Sequence, residues 1–157
     1  AGKDLTPVVP KTPFTEKIYT YAEVDGEQLQ IKVYRPETVG AAPCIIHFEG
    51  SGFAGRDLRL NTSKMAFFLD RGFAMVACAY RGYRRENSGQ VHFPTPLLEA
   101  VAALRYLRKN AESIGIDPKR IASMGSSSGG WYAVMLAVSG SRQFQDVGLL
   151  GSVGDSL

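Results

Sequence analysis

The apolar positions of this chain change period several times along its length, and each change marks a predicted element. Ile18 to Val24 and Gln28 to Tyr34 flank Asp25-Gly26, and Leu29, Ile31 and Val33 alternate with polar residues. Alternation on either side of an Asp-Gly pair predicts a β-hairpin. Before it, residues 1–13 carry Pro7, Pro10 and Pro13 with little periodicity, which predicts an extended lead-in. Pro36 to Pro43 reads as a loop. Cys44-Ile45-Ile46-His47-Phe48 is nearly continuous in its apolar character, as expected of a strand buried on both faces. Met65, Phe68 and Leu69 share one helical face, with Gly72 placed to stop that helix. Phe73 to Ala79 predicts a second buried strand, and Tyr80 to Phe93 a polar loop. Thr95 as N-cap and Pro96 at the first helical position then open a helix. Its stripe is Leu97, Ala100, Val101, Leu104, Leu107, Ala111 and Ile114, with Arg105, Arg108 and Lys109 facing away. Asp117-Pro118 closes that unit. Ile121 to Met124 predicts a last strand, and Ser128 to about Val138 a helix that is apolar all round and therefore internal. A hairpin followed by three strands alternating with helices is an α/β layout with a mostly parallel sheet.

Composition limits this picture without changing it. With 157 residues, 45% of them hydrophobic, the chain can build one sizeable core. A net charge of +3, with both signs well mixed, gives no ground for nucleic-acid binding. Arg81, Arg84 and Arg85 read as a solvated loop cluster. No apolar run approaches the ~20 residues of a membrane span. The two cysteines, Cys44 and Cys78, sit in strand-like runs and read as free buried thiols, with neither a metal site nor a cofactor implied. If their strands are parallel neighbours, four residues separate their depths by about 13 Å, beyond the ~7 Å Cα limit of a disulfide. The chain begins with Ala1 and shows no signal-peptide pattern, which suits a processed, secreted or periplasmic product.

Candidate chemistry concentrates in Gly125-Ser126-Ser127-Ser128-Gly129-Gly130, between the last strand and the last helix. Gly125, Ser127 and Gly129 fit G-x-S-x-G in the strand–turn–helix setting that this nucleophile-elbow pattern requires. A serine on a strained corner leaves no room for side chains two residues to either side, and of the three serines only Ser127 has glycine at both places. The helix that follows directs its first N–H groups and positive dipole end toward the point where an oxyanion would form. The pattern also fits an ordinary Gly/Ser turn that caps a buried helix.

Four further stretches extend the match: Glu49-Gly50-Ser51-Gly52-Phe53, Asp70 to Val76, Phe93-Pro94 with the helix ending at Asn110, and Gly115 to Ile121. From about Phe14 to Ser139 the chain resembles the α/β-hydrolase fold. Within that fold it resembles the hormone-sensitive-lipase-like carboxylesterases and the related acetylxylan and feruloyl esterases. The resemblance implies Ser127 as catalytic nucleophile and the backbone N–H of Ser128 as one oxyanion donor. Ser51 and Gly52 match the second and third glycines of the family's His-Gly-Gly-Gly loop, whose amides complete the oxyanion hole. Glu49 stands where the family has histidine, and Ser51 where it has glycine; both changes leave the backbone amides in place. Phe53 would line the acyl side of the pocket, though plain loop packing fits it as well. The implied reaction is hydrolysis of short-chain acyl esters, with acetyl or feruloyl groups on plant polysaccharide as the suggested substrates. A peptidase on the same scaffold has no feature in its favour.

The departure comes after the serine. In this fold the acid and the histidine follow the nucleophile, in the order Ser…Asp/Glu…His. Here 30 residues follow Ser127 and none is histidine. Asp146 and Asp155 come too early. His47 reads as a hydrogen-bonded core histidine, and His92 as a loop residue, a substrate contact or a replacement base. Residues 14–157 therefore read as the N-terminal part of a single α/β-hydrolase domain, truncated after the nucleophile helix. A symmetric homodimer cannot supply the missing pair, because every copy lacks it. The alternative expectation is a catalytically silent half-domain that associates with a complementary polypeptide. Gly154-Asp155-Ser156-Leu157 spells another serine-hydrolase signature, but its place at the terminus makes it a chance match.

Overall fold

The computed structural model describes residues 8–38, 40–82 and 93–138. Its elements run β1 (Phe14–Val24), β2 (Glu27–Pro36), β3 (Ala42–Phe48), β4 (Gly55–Arg56), α1 (Thr62–Leu69), β5 (Ala74–Cys78), β6 (Tyr80–Arg81), α2 (Thr95–Lys109), α3 (Ala111–Ile114), β7 (Ile116–Gly125) and α4 (Ser128–Val138). The main sheet has the order β1-β2-β5-β3-β7. Strands β1, β2 and β5 pair antiparallel in turn, and β5, β3 and β7 pair parallel. The hairpin turns at Asp25 and Gly26, whose φ values of 53° and 78° are the left-handed pair that a two-residue turn of this kind needs.

The continuous apolar strands are buried on both sides, as their composition demands. Cys44, Ile46, Phe48, Ala74, Val76 and Cys78 face the layer of α2 and α4, which contributes Leu97, Leu104, Leu107, Tyr132 and Leu136. The alternate positions Ile45, Met75 and Ala77 face α1 through Met65 and Leu69. Fully burying an aliphatic side chain contributes about 1.5–3 kcal/mol, so these two layers hold the sheet. Cys44 pairs with Ala74, which leaves Cys78 four residues further along the neighbouring strand, and both thiols are free.

Several local expectations are corrected. The long helix starts at Thr95 itself, with Pro94 as N-cap and no side-chain cap; Pro96 costs nothing there because first-turn N–H groups have no intrahelical acceptor. The stripe is split by Asn110, so Ala111 and Ile114 belong to α3. Asp117-Pro118 does not end the unit but lies inside β7. The register jumps from Ala42↔Ile116 to Cys44↔Ile121, and Asp117 folds the extra residues over with bonds from the Lys119 N–H (2.9 Å) and Arg120 Nε (2.6 Å). Helix α4 is not internal all round: Tyr132, Ala133 and Leu136 are buried, whereas Val134 and Val138 are exposed. Arg81 is not solvated either, and its partner bears on the site. Arg84 and Arg85 lie outside the described residues.

Among the described residues no helix is long and apolar enough to cross a membrane, and no three His, Cys, Asp or Glu side chains are placed to hold a metal ion.

Candidate active site

Strands β3 and β7 end side by side, with Phe48 opposite Gly125, and the chain leaves both at that edge. From β7 it turns through Ser126 and Ser127 into α4. Ser127 has φ +51°, a left-handed backbone that costs a residue with a side chain roughly 1–2 kcal/mol. Close packing enforces the corner. A Cβ on Gly125 would run into the carbonyl of Gly129, and one on Gly129 into that of Phe48, whose carbonyl carbon is 2.6 Å away. Gly50 meets the corner from the other side, where a Cβ would stand 2.7 Å from Ser126 O and 3.0 Å from Ser127 Cβ.

Residues 49–53, leaving β3, fold over the same point. Gly52 and Phe53 both have positive φ (60° and 64°), and the Ala54 N–H closes this turn on Ser51 O at 3.1 Å. The Ser127 side chain is exposed and forms no hydrogen bond among the described residues. The hydroxyls beside it are engaged. Ser126 Oγ accepts the Gly50 N–H (3.3 Å) and donates to Glu49 Oε1 (3.1 Å). Ser128 Oγ, buried, accepts the Ser51 N–H at 3.0 Å. The amide of Ser128, the first residue of α4, has no intrahelical acceptor. Ser51, Gly52, Ser127 and Ser128 are thus brought together around one corner.

The second anchor of the loop comes from β6. Tyr80 Oη donates to Glu49 O (2.7 Å) and lies 3.3 Å from Ser51 Oγ. β6 is tied in turn to β4 and to α2. Gly55 pairs with Arg81, and Arg81 gives its N–H (2.9 Å) and Nε (2.6 Å) to the carboxylate of Glu99, itself almost wholly buried. Burial pushes the Glu99 carboxyl up, and the bonds from Arg81 oppose that shift.

His47 is buried, but its two ring nitrogens have no hydrogen-bond partner among the described residues, which corrects the expectation of a bonded core histidine. Its Nδ1 stands 4.0 Å from Glu49 Oε2, and Lys64 Nζ stands 3.8 Å from the same oxygen. Glu49 therefore joins Ser126, Lys64 and His47 in one polar cluster under the loop. His92, Asp146 and Asp155 lie outside the described residues.

Beside the corner is a cavity of about 320 Å³ lined by Phe53, Phe93, Pro96, Leu97, Trp131 and Tyr132, with almost no polar surface. Trp131 ties it to the corner, since its N–H reaches Ser127 O at 3.3 Å. The Phe53 ring meets Trp131 and Tyr132 edge-on at 5.9 and 6.0 Å, so its left-handed backbone brings an aromatic edge to the cavity wall.

The BD-FAE family matches residues 31–150, a stretch that begins within β2 and takes in every element from β3 to α4. The chain belongs to that family. It is 32% identical over 117 residues to the ethyl acetate hydrolase of Pseudomonas putida, covering 72% of this chain and 35% of that protein. It is 28% identical over 134 residues to the versiconal hemiacetal acetate esterase of Dothistroma septosporum, covering 85% of this chain and 39% of the relative. Among solved structures, a thermophilic esterase from Thermogutta terrifontis superposes with a TM-score of 0.65 at 26% identity, over 81% of this chain and 45% of that one. The fold is that of the α/β-hydrolase esterases. The chain spans less than half the length of each of these three proteins.

Within this BD-FAE chain, sequence reasoning did not find the roles of Ser126, Tyr80, Lys64 and Glu99. The run of three serines was the available signal for the first. The others act across 15 to 31 residues of chain, where no local pattern points.

Proposed function

We propose that this chain carries the nucleophile half of a serine ester hydrolase acting on short-chain acyl esters. Ser127 Oγ attacks the ester carbonyl carbon, and its proton passes through a base to the departing alcohol. Water then attacks the acyl-serine and releases the acid. The oxyanion of each tetrahedral intermediate faces the amides of Ser128 and Gly52, where preorganised donors stabilise charge as it develops. The observation that carries this reading is the left-handed Ser127, its hydroxyl without a hydrogen bond among the described residues, between a helix N-terminus and an amide-bearing loop. In the order of this fold the histidine and acid of the reaction follow the nucleophile helix.

Two relatives are named for acetate esters, which supports acetyl as an acyl group. The aromatic cavity beside Trp131 also suits a flat acyl group such as feruloyl. The test is hydrolysis of p-nitrophenyl acetate and methyl ferulate by the whole protein and by Ser127→Ala. The variant is expected to lose about 10⁴-fold or more in kcat on both esters. Retained turnover in Ser127→Ala would refute the assignment.

A further inference from the structure

We infer that Ser128 is a positioning residue for this reaction, whose hydroxyl sets the oxyanion loop in place while its own amide receives the oxyanion. The inference rests on the reading of Ser127 as nucleophile and goes beyond it, because the resemblance gives Ser128 only a backbone role.

An N–H has one proton to give. That of Ser51 is directed to Ser128 Oγ at 3.0 Å, so of the three amides expected to face the oxyanion, one is already engaged. The other two are ready. Ser128 N–H begins α4 and has no intrahelical acceptor, and Gly52 N–H forms no hydrogen bond among the described residues. Gly52 follows directly on the bonded Ser51 amide and sits in the left-handed turn closed by the Ala54 N–H on Ser51 O. The Ser51–Ser128 bond therefore fixes the turn that aims the Gly52 amide. It joins the loop to the very residue whose amide is the second donor, so one side chain sets the separation of the two. Ser126 Oγ does the same work one residue earlier on Gly50, and the Tyr80 hydroxyl holds Glu49 O. Ser128 is buried, so water does not compete for its hydroxyl. The three consecutive serines thus divide the task, with the central one reacting and its neighbours holding the loop.

The experiment compares kcat and KM for p-nitrophenyl acetate in the whole protein, Ser128→Ala and Ser128→Thr, with amide exchange at Ser51 followed in the unmodified protein. Losing one oxyanion donor costs about 10²–10³ in kcat, and a donor left in place but poorly aimed is expected to cost about 10-fold or more, with KM within about twofold. Ser128→Thr keeps a hydroxyl and is expected to recover most of that loss. An unchanged or raised kcat in Ser128→Ala overturns the inference, as does a threonine variant no better than alanine. If the alanine variant does not fold, exchange decides: a protected Ser51 amide supports the bond, and one exchanging as fast as an exposed loop overturns it. An unmodified protein without esterase activity would sink the reading of Ser127, whereas the exchange result would still report on the bond.

Discussion

Burial of His47 on the α1 side of the sheet holds its imidazole below the ordinary histidine range. Desolvation is the main cause, and the Lys64 ammonium adds to it against the opposing pull of Glu49. In the unfolded chain the same ring protonates near pH ~6.5. Between that value and the lowered one, the unfolded state binds more protons, so stability rises with pH. His47 therefore leaves stability intact above the unfolded pKa and erodes it as pH falls toward the folded one. Thermal melts from about pH 8 down to about pH 5 are expected to show Tm falling below about pH 6.5, with that part of the curve flattened in His47→Gln. An identical curve in the variant would contradict the assignment. The cysteines show the same physics without the consequence. Desolvation raises the Cys44 thiol to about 12 and the Cys78 thiol higher, so neither forms thiolate at neutral pH.

The corner between β7 and α4 is set by which glycines touch backbone. Gly129 and Gly130 are adjacent in sequence and opposite in consequence. A Cβ on Gly129 collides with the Phe48 carbonyl, whereas one on Gly130 finds its nearest neighbour, Gly125 O, at 3.4 Å. Gly129→Ala is expected to lower stability by about 1–3 kcal/mol and to cut ester hydrolysis, because the corner must open to admit the methyl group. Gly130→Ala is expected to be neutral or to gain up to about 1 kcal/mol, as alanine favours a helix interior. Urea midpoints of both variants check this, and equal losses would contradict it. At this scale the sequence was most legible where one element decides its own form. Asp25-Gly26, the doubly buried strands and G-x-S-x-G all announce themselves in a few neighbouring residues. The start of α2 moved by one residue because Thr95 and Pro96 fit two adjacent registers of the same first turn. The exposure of Val134 and Val138 was not legible, because hydrophobicity says that a face wants cover and not whether it has it.

Across the whole molecule, the site is a meeting of segments far apart in the chain. Ser126 reaches Glu49 across 77 residues, and Arg81 and Glu99 brace the strand from which Tyr80 holds the loop. Such contacts leave no periodic trace, which is why the sequence pointed to the loop and the corner but not to the side chains that join them. The fold, the BD-FAE match and the esterase neighbours agree on the frame in which those segments meet. The chemistry proposed for that frame depends on one atom, Ser127 Oγ. Intact mass of the whole protein before and after a fluorophosphonate probe tests it most directly. A single phosphonyl adduct, absent from Ser127→Ala, is the predicted result. An adduct that persists in Ser127→Ala, or no adduct on the folded protein, would contradict it.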